Sequence, residues 1–276
     1  MPSAPEQTAD APQAMARGIP GCDLLVALHS FPKSGNTWLR AIMAGIIGLP
    51  ADRGRMAECL VDIHMGQRIG LHPRRFAGRT WCFYKSHNMD PCVVQDGQVI
   101  HPDRILYIYR HPLDVFISYL NYLSGNVTAL SGKVFGFDFD RVDDLTPDQM
   151  EQLFRRFLVH GTFDPRAANP FGNLFDSIDR FTALRAQGQP VHVLRYEDLS
   201  DDFNATVQGI CAFLDLPLAP GAIDRIRRSA DRLTSGDGRF FWKRKVGTHA
   251  SYLTADQIGR FWDRHHHRMK ALGYAR

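Results

Sequence analysis

The stretch Leu24-Leu25-Val26-Ala27-Leu28-His29-Ser30-Phe31-Pro32-Lys33-Ser34-Gly35-Asn36-Thr37-Trp38 decides how the chain is read. Leu24 to Leu28 is a short apolar run that fits a buried strand of a parallel sheet, covered on both faces. A loop of turn formers follows. Trp38, Leu39, Ile42, Met43, Ile46 and Ile47 then recur at helical spacing until Gly48 and Pro50 stop the helix. Asn36 or Thr37 is the expected cap. The loop therefore sits on a helix N-terminus, where backbone N–H groups form an anion site. Gly35 lets a ligand approach the backbone, Lys33 adds positive charge, and Ser34 and Thr37 add hydroxyl donors. This suits a phosphate or a related oxyanion. The pattern Gly-x-x-x-x-Gly-Lys-[Ser/Thr] occurs nowhere. A lone Lys-Ser-Gly is more often an ordinary capped turn, so the rest of the chain must decide.

Further strands are expected at Thr80 to Lys85, Arg104 to Tyr109 and Val191 to Leu194. A helix carrying Val115, Phe116, Tyr119, Leu120 and Leu123 should follow the third strand, and an amphipathic helix spans Phe203 to Leu214. Strands alternating with helices predict a three-layer α/β domain. Residues 124–170 are rich in Gly, Asp, Asn and Pro, with one helix near Pro147 to Leu158. They suit a lid over a site at the carboxyl ends of the strands. From Leu233 to Thr254 the chain is again loop-like and basic, before a final helix from Asp256 to about Leu272. With no repeat and no clear linker, residues 21–276 read as one domain behind a disordered tail, residues 1–20.

Composition sets the outer limits. A chain of 276 residues that is 44% hydrophobic and 22% charged carries a sizeable core, which excludes general disorder. Thirty-three basic against 29 acidic residues give +4, too balanced for charge alone to indicate nucleic acid. The cysteines, at 22, 59, 82, 92 and 211, are odd in number and contain no Cys-x-x-Cys. That argues against a disulfide scaffold or zinc ribbon and for reduced thiols in the cytoplasm. No apolar stretch approaches the ~20 residues of a membrane span. His265-His266-His267 lie side by side on a helix and point apart, so they read as surface residues, and no metal site is expected.

Arg110 falls where the third strand should end, just before Pro112 and its neighbour His111, and Ser118 lies about two turns into the next helix. A guanidinium recognises a phosphate bidentately, and the serine hydroxyl can complete the contact. Two anion sites on neighbouring strand ends suit a ligand with two phosphate-like groups. His87, two residues beyond Lys85, is the best general-base candidate, because both would point the same way at a strand end. The lysine could stabilise charge on transferring oxygens. Taken alone, either residue is as well explained by packing or solvation.

Together these motifs resemble the cytosolic-type sulfotransferase family, which uses 3′-phosphoadenosine 5′-phosphosulfate (PAPS). Ser30 to Trp38 is similar to its 5′-phosphosulfate loop. Tyr107-Ile108-Tyr109-Arg110-His111-Pro112-Leu113-Asp114-Val115-Phe116-Ile117-Ser118-Tyr119 is similar to its 3′-phosphate motif. Tyr84-Lys85-Ser86-His87 matches the segment bearing the catalytic base, and Arg195-Tyr196-Glu197-Asp198-Leu199 matches an element whose tyrosine contacts the adenine end. The C-terminal flap departs from the family pattern Arg-Lys-Gly-x-x-Gly. Here it reads Phe241-Trp242-Lys243-Arg244-Lys245-Val246-Gly247-Thr248, which leaves open which of Lys243, Arg244 and Lys245 meets the 3′-phosphate. Ser229 matches a family serine only faintly.

The resemblance implies a P-loop-type α/β fold with a central parallel sheet and helices on both faces. It implies in-line transfer of a sulfuryl group from PAPS to a hydroxyl or amine. His87 would be the base and Lys33 and Lys85 the stabilising cations. The N–H groups from Ser34 through Gly35, Asn36 and Thr37 to Trp38 would hold the phosphosulfate, and Arg110 and Ser118 the 3′-phosphate. No metal is required. The acceptor stays open: Phe135, Phe137, Phe139, Phe163 and Phe171 could line a pocket for an aromatic, lipid-like or natural-product alcohol, or could anchor the loop to the core. The oligomeric state is equally open. One rival is an ATP-dependent nucleotide or small-molecule kinase, with Asp90 or Asp114 as magnesium ligand. Another is a nucleic-acid-binding module using the basic and aromatic segment 225–245. A third is a non-catalytic relative, which the presence of both Lys33 and His87 argues against.

Overall fold

The computed structural model describes residues 19–162, 171–235 and 245–276. The sheet is built around β1 (Leu24–His29), flanked by β4 (Arg79–Ser86) and β7 (Arg104–Tyr109). With β2 (Leu60–Asp62) and β8 (Val191–Arg195) the parallel order is β2-β4-β1-β7-β8, and β3 (Arg74–Phe76) pairs antiparallel with β4. A separate hairpin joins β5 (Val93–Gln95) to β6 (Gln98–Ile100).

The apolar run of β1 follows from its central position. Leu25 and Ala27 face one hydrophobic cluster, while Val26 and Leu28 face the other. Each face must therefore be covered, which is why the strand shows no polar alternation. One layer is formed by α1 (Asn36–Ile46), α8 (Phe203–Phe213) and α9 (Ala222–Thr234), whose buried residues join the Val26 side. The other contains α3 (Pro112–Leu123), α5 (Pro147–His160), α6 (Leu174–Ala186) and α10 (Ala255–Ala271). Short helices α2 (Arg53–Cys59), α4 (Ser131–Phe135) and α7 (Tyr196–Asp201) complete the connections. This is the expected three-layer α/β fold.

Register positions the site. His29 is level with Ser86, Lys85 with Asp62, and His29 with Tyr107. The chain thus leaves β1, β2, β4 and β7 along one edge of the sheet, at the carboxyl ends where α/β folds place their ligands.

Several expectations are revised. The helix cap is Gly35, in the left-handed region at φ 105, and no side chain caps α1. Asn36 instead turns inward and donates through Nδ2 to the Leu28 carbonyl (3.0 Å) and to Ser30 Oγ (3.2 Å), tying the loop to its own strand. Ile19 is buried and joins the core, so the tail drawn to residue 20 overlaps the fold. Phe135 and Phe139 are buried in the core, and Phe137 packs against it, which selects anchoring over pocket lining for these three. His265 is no surface residue: it stacks on Phe175 (ring centroids 4.5 Å), and its Nε2 bonds to the Leu158 carbonyl at 3.0 Å. His266 and His267 are exposed. Phe163 lies outside the described residues.

Candidate active site

A cavity of about 790 Å³ opens along this edge. It is lined by Lys33, Gly35, Asn36, Thr37 and Trp38 from the first loop, Lys85 and His87 from β4, and Arg110, Ser118 and Tyr196 from the neighbouring connections. Residues read from separate motifs are therefore brought around one space.

The first loop is shaped by close packing. A Cβ at Gly35 would overlap the ring of Tyr196, so glycine is required by space as well as by its positive φ. Trp38 meets the same ring edge-on, with centroids 5.2 Å apart. The first turn of α1 carries no acidic residue, leaving the positive end of its dipole unopposed. Lys33 is held at φ 69, a conformation unusual for a residue with a side chain. Its Nζ lies 4.6 Å from the centroid of the Tyr122 ring. Burial, with Arg110 and Lys85 nearby, pushes the Lys33 ammonium down to about 7. Around the loop, Ser34 Oγ, Asn36 Oδ1, Trp38 Nε1 and Arg110 Nε are buried without a hydrogen-bond partner among the described residues. Buried polar groups are normally satisfied, so this cluster fits a site whose partners arrive with a ligand.

At the end of β4, Lys85 Nζ pairs with Asp62 Oδ2 at 2.9 Å. Burial lowers the Lys85 pKa, while Asp62 opposes that change. His87 Nδ1 lies 2.7 Å from the Ser30 carbonyl oxygen. A carbonyl only accepts, so Nδ1 carries the proton and Nε2 keeps its lone pair. Burial, reinforced by Lys85, holds the imidazole pKa well below its ordinary value. His87 is thus held neutral, which leaves the Nε2 lone pair to act as acceptor, although the same shift weakens it as a base.

At the end of β7, the Arg110 guanidinium lies 4.4 Å from the centroid of the Tyr196 ring, and its Nη2 donates to the Lys245 carbonyl at 2.8 Å. Asp114, which is 1% exposed, organises the facing segment. It accepts from the backbone N–H of Gly247 (2.8 Å) and of His249 (3.0 Å), and from His249 Nδ1 (2.7 Å). Arg110 Nη2 lies 3.5 Å from its Oδ2. Burial raises this carboxyl, but the His249 hydrogen bonds and Arg110 outweigh it and hold the pKa below its ordinary value. With its oxygens so committed, Asp114 is a latch on residues 245–249 and not the magnesium ligand considered above. Asp90 is likewise engaged, accepting the Cys92 N–H at 2.9 Å.

Some expected residues stand apart. Lys245 meets Arg110 through its carbonyl while its side chain is exposed; Lys243 and Arg244 lie outside the described residues. Ser229 lies on α9 and is not among the residues lining the cavity, although its Oγ is buried without a partner among the described residues. Of the basic residues in the rival nucleic-acid segment, Arg227 lies over Phe203 (4.2 Å) and bonds to Asn204, which ties it to the fold. Asp62, which ends β2, and His64, on the turn after it, belong to the cavity and carry no motif that marks them in the sequence. Phe171 also lines it.

Asp114→Ala should destabilise the fold by about 3–5 kcal/mol in urea unfolding at pH 7, because Arg110 is left as an uncompensated buried charge. The carboxylate's contribution is complete above its unfolded pKa, near 3.8, and is lost as pH falls through the lower folded value. The deficit should therefore shrink in strong acid. An unchanged deficit there would remove Asp114 ionisation from the account.

A family model described as "Sulfotransferase domain" matches residues 83–273. Cytosolic sulfotransferase 14 of Arabidopsis thaliana is 24% identical over 278 aligned residues, covering 85% of this chain and 72% of that protein. Mouse sulfotransferase SULT7A1, solved as a complex with PAP, superposes with a TM-score of 0.56 at 18% identity, covering 89% of this chain and 83% of that one. Retinol dehydratase, solved with androsterone and the inactive cofactor PAP, gives 0.56 at 14% identity, covering 89% and 80%. At these identities the structural likenesses establish the fold.

Proposed function

The chain belongs to the sulfotransferase domain family, and we propose that it transfers the sulfuryl group of PAPS to a hydroxyl or amine of a small-molecule acceptor. The observation that carries this reading is a single cavity holding two cationic anion cradles with a neutral, oriented histidine beside them. The PAP bound in the mouse sulfotransferase and in retinol dehydratase supports PAPS as donor.

In this reading the N–H groups of Gly35, Asn36 and Thr37, with Lys33, receive the 5′-phosphosulfate, while those of Ser34 and Trp38 already donate to the Phe31 and Gly35 carbonyls at 3.2 and 3.0 Å. Arg110, Ser118 and the segment latched by Asp114 receive the 3′-phosphate, and Tyr196 borders the adenine end. The acceptor oxygen forms a bond to sulfur as the sulfur–oxygen bond to the phosphate breaks. His87 Nε2 takes the acceptor proton, and Lys33 and Lys85 stabilise charge on the departing and equatorial oxygens. Adenosine 3′,5′-bisphosphate leaves. The androsterone in retinol dehydratase supports an apolar alcohol as acceptor, and here Phe171 and Met65 border the cavity.

His87→Ala should lower turnover by about 10²–10⁴-fold in an assay of bisphosphate release, while bisphosphate affinity stays within a few-fold. Turnover that survives the change would exclude His87 as the base. A second expectation concerns Lys33. With a pKa near 7 it is about half protonated at pH 7, and an arriving anion raises that pKa. Calorimetry in buffers of different ionisation heat should show proton uptake on binding PAPS, reduced by about half a proton in Lys33→Met. Equal uptake in both proteins would place the titration elsewhere.

A further inference from the structure

We propose that Asp62, the last residue of β2, and His64, on the turn that follows, are positioning residues for the two groups at the end of β4: Asp62 sets Lys85 and His64 sets His87. The geometry stands independently, while its consequence for turnover rests on the sulfotransferase reading above. β2 and β4 are parallel, with Asp62 level with Lys85. Beyond that pair the chain leaves β2 in a single 3-10 turn, Ile63–Met65, which carries His64 against His87 just past the end of β4.

Each contact is specific. Asp62 Oδ2 takes the Lys85 ammonium at 2.9 Å, with both side chains largely buried at 17% and 11% exposure. Asp62 Oδ1 accepts the His64 backbone N–H at 3.1 Å, which closes the turn and fixes where the imidazole starts. His64 Nε2 then accepts the His87 backbone N–H at 2.8 Å. The two rings lie 5.4 Å apart and 14° from parallel, and Phe171 meets both edge-on, at 5.1 and 5.8 Å.

His87 is thereby held at its backbone and ring face by His64, and at Nδ1 by the Ser30 carbonyl. Its remaining ring nitrogen, Nε2, is the one the proposed reaction uses. His64 can hold the His87 N–H only while its own Nε2 is unprotonated. Burial and Lys85 lower its pKa and keep it in that state near neutrality, with Asp62 opposing. Asp62, His64, Lys85, His87 and Phe171 all line the cavity, so the clamp sits where an acceptor must approach the base.

The test compares the full chain with His64→Ala, His64→Gln and Asp62→Asn. A glutamine amide oxygen can accept the same N–H. Turnover is read as bisphosphate release from PAPS, with 2-naphthol as probe acceptor and with water alone. The His87 amide resonance is followed by ¹H–¹⁵N NMR, and folding is checked by melting. His64→Ala should lose about 10–100-fold in kcat with an unchanged KM for PAPS, since misplacement near 1 Å costs on that order. Its His87 amide proton should move upfield, and His64→Gln should restore both readouts to within a few-fold. Asp62→Asn should lower kcat without moving that amide. A folded His64→Ala protein with wild-type kcat and an unmoved amide would overturn the proposal, as would a glutamine variant no better than alanine. If the wild-type chain releases no bisphosphate under either condition, the proposed function fails, and the amide resonance still decides the clamp.

Discussion

Three cations, Lys33, Lys85 and Arg110, line one cavity, and holding them there largely buried is the constraint on which the rest of the site depends. Burying like charges together is costly, and the cost is met differently at each. Lys85 is paired with Asp62 and Arg110 with Asp114. Lys33 responds by shifting its pKa toward neutrality under the influence of burial and the other two. An anion entering this space would be attracted by all three, which gives its binding an electrostatic driving force. The same anion would also meet buried donors such as Trp38 Nε1 and Arg110 Nε, which have no hydrogen-bond partner among the described residues.

The sheet makes this arrangement possible. Parallel strands that end level deliver side chains from remote parts of the sequence to one edge, and β1 does so because both its faces are covered. Backbone and side chain then divide the work. Asn36 pins the first loop to Leu28 and Ser30, while Asp114 draws residues 245–249 over Arg110. The two cradles are thus preorganised by hydrogen bonds that no ligand need supply, and preorganised dipoles and charges are what electrostatic catalysis requires.

The residues of the first loop, and Lys85, His87, Arg110 and Ser118, were legible because each belongs to a contiguous motif beside a strand of recognisable pattern. The three central strands of the sheet were legible for the same reason. Asp62 and His64 were not, since β2 has only three residues and its role comes from register with β4 and not from local pattern. Asp114 was visible as a carboxylate four residues from Arg110, but its partners Gly247 and His249 lie more than 130 residues away, beyond the reach of local reading. Asn36 looked like a cap, yet Gly35 takes that position and frees its side chain for the strand. The phenylalanines near residue 137 carried the right chemistry for a pocket, and only packing could show that they serve the core.

The central claim is that this edge of the sheet receives a nucleotide bearing two separate anionic groups. It is tested most directly by thermal unfolding with adenosine 3′,5′-bisphosphate, compared with AMP and with ATP plus magnesium. At about 100 times its dissociation constant, a specific ligand stabilises by about 2.7 kcal/mol, a rise of several degrees in a chain of this size. A rise with the bisphosphate that AMP and magnesium-ATP fail to match is the result the account requires. An equal or larger rise with magnesium-ATP would contradict it and return the chain to the phosphotransferase reading.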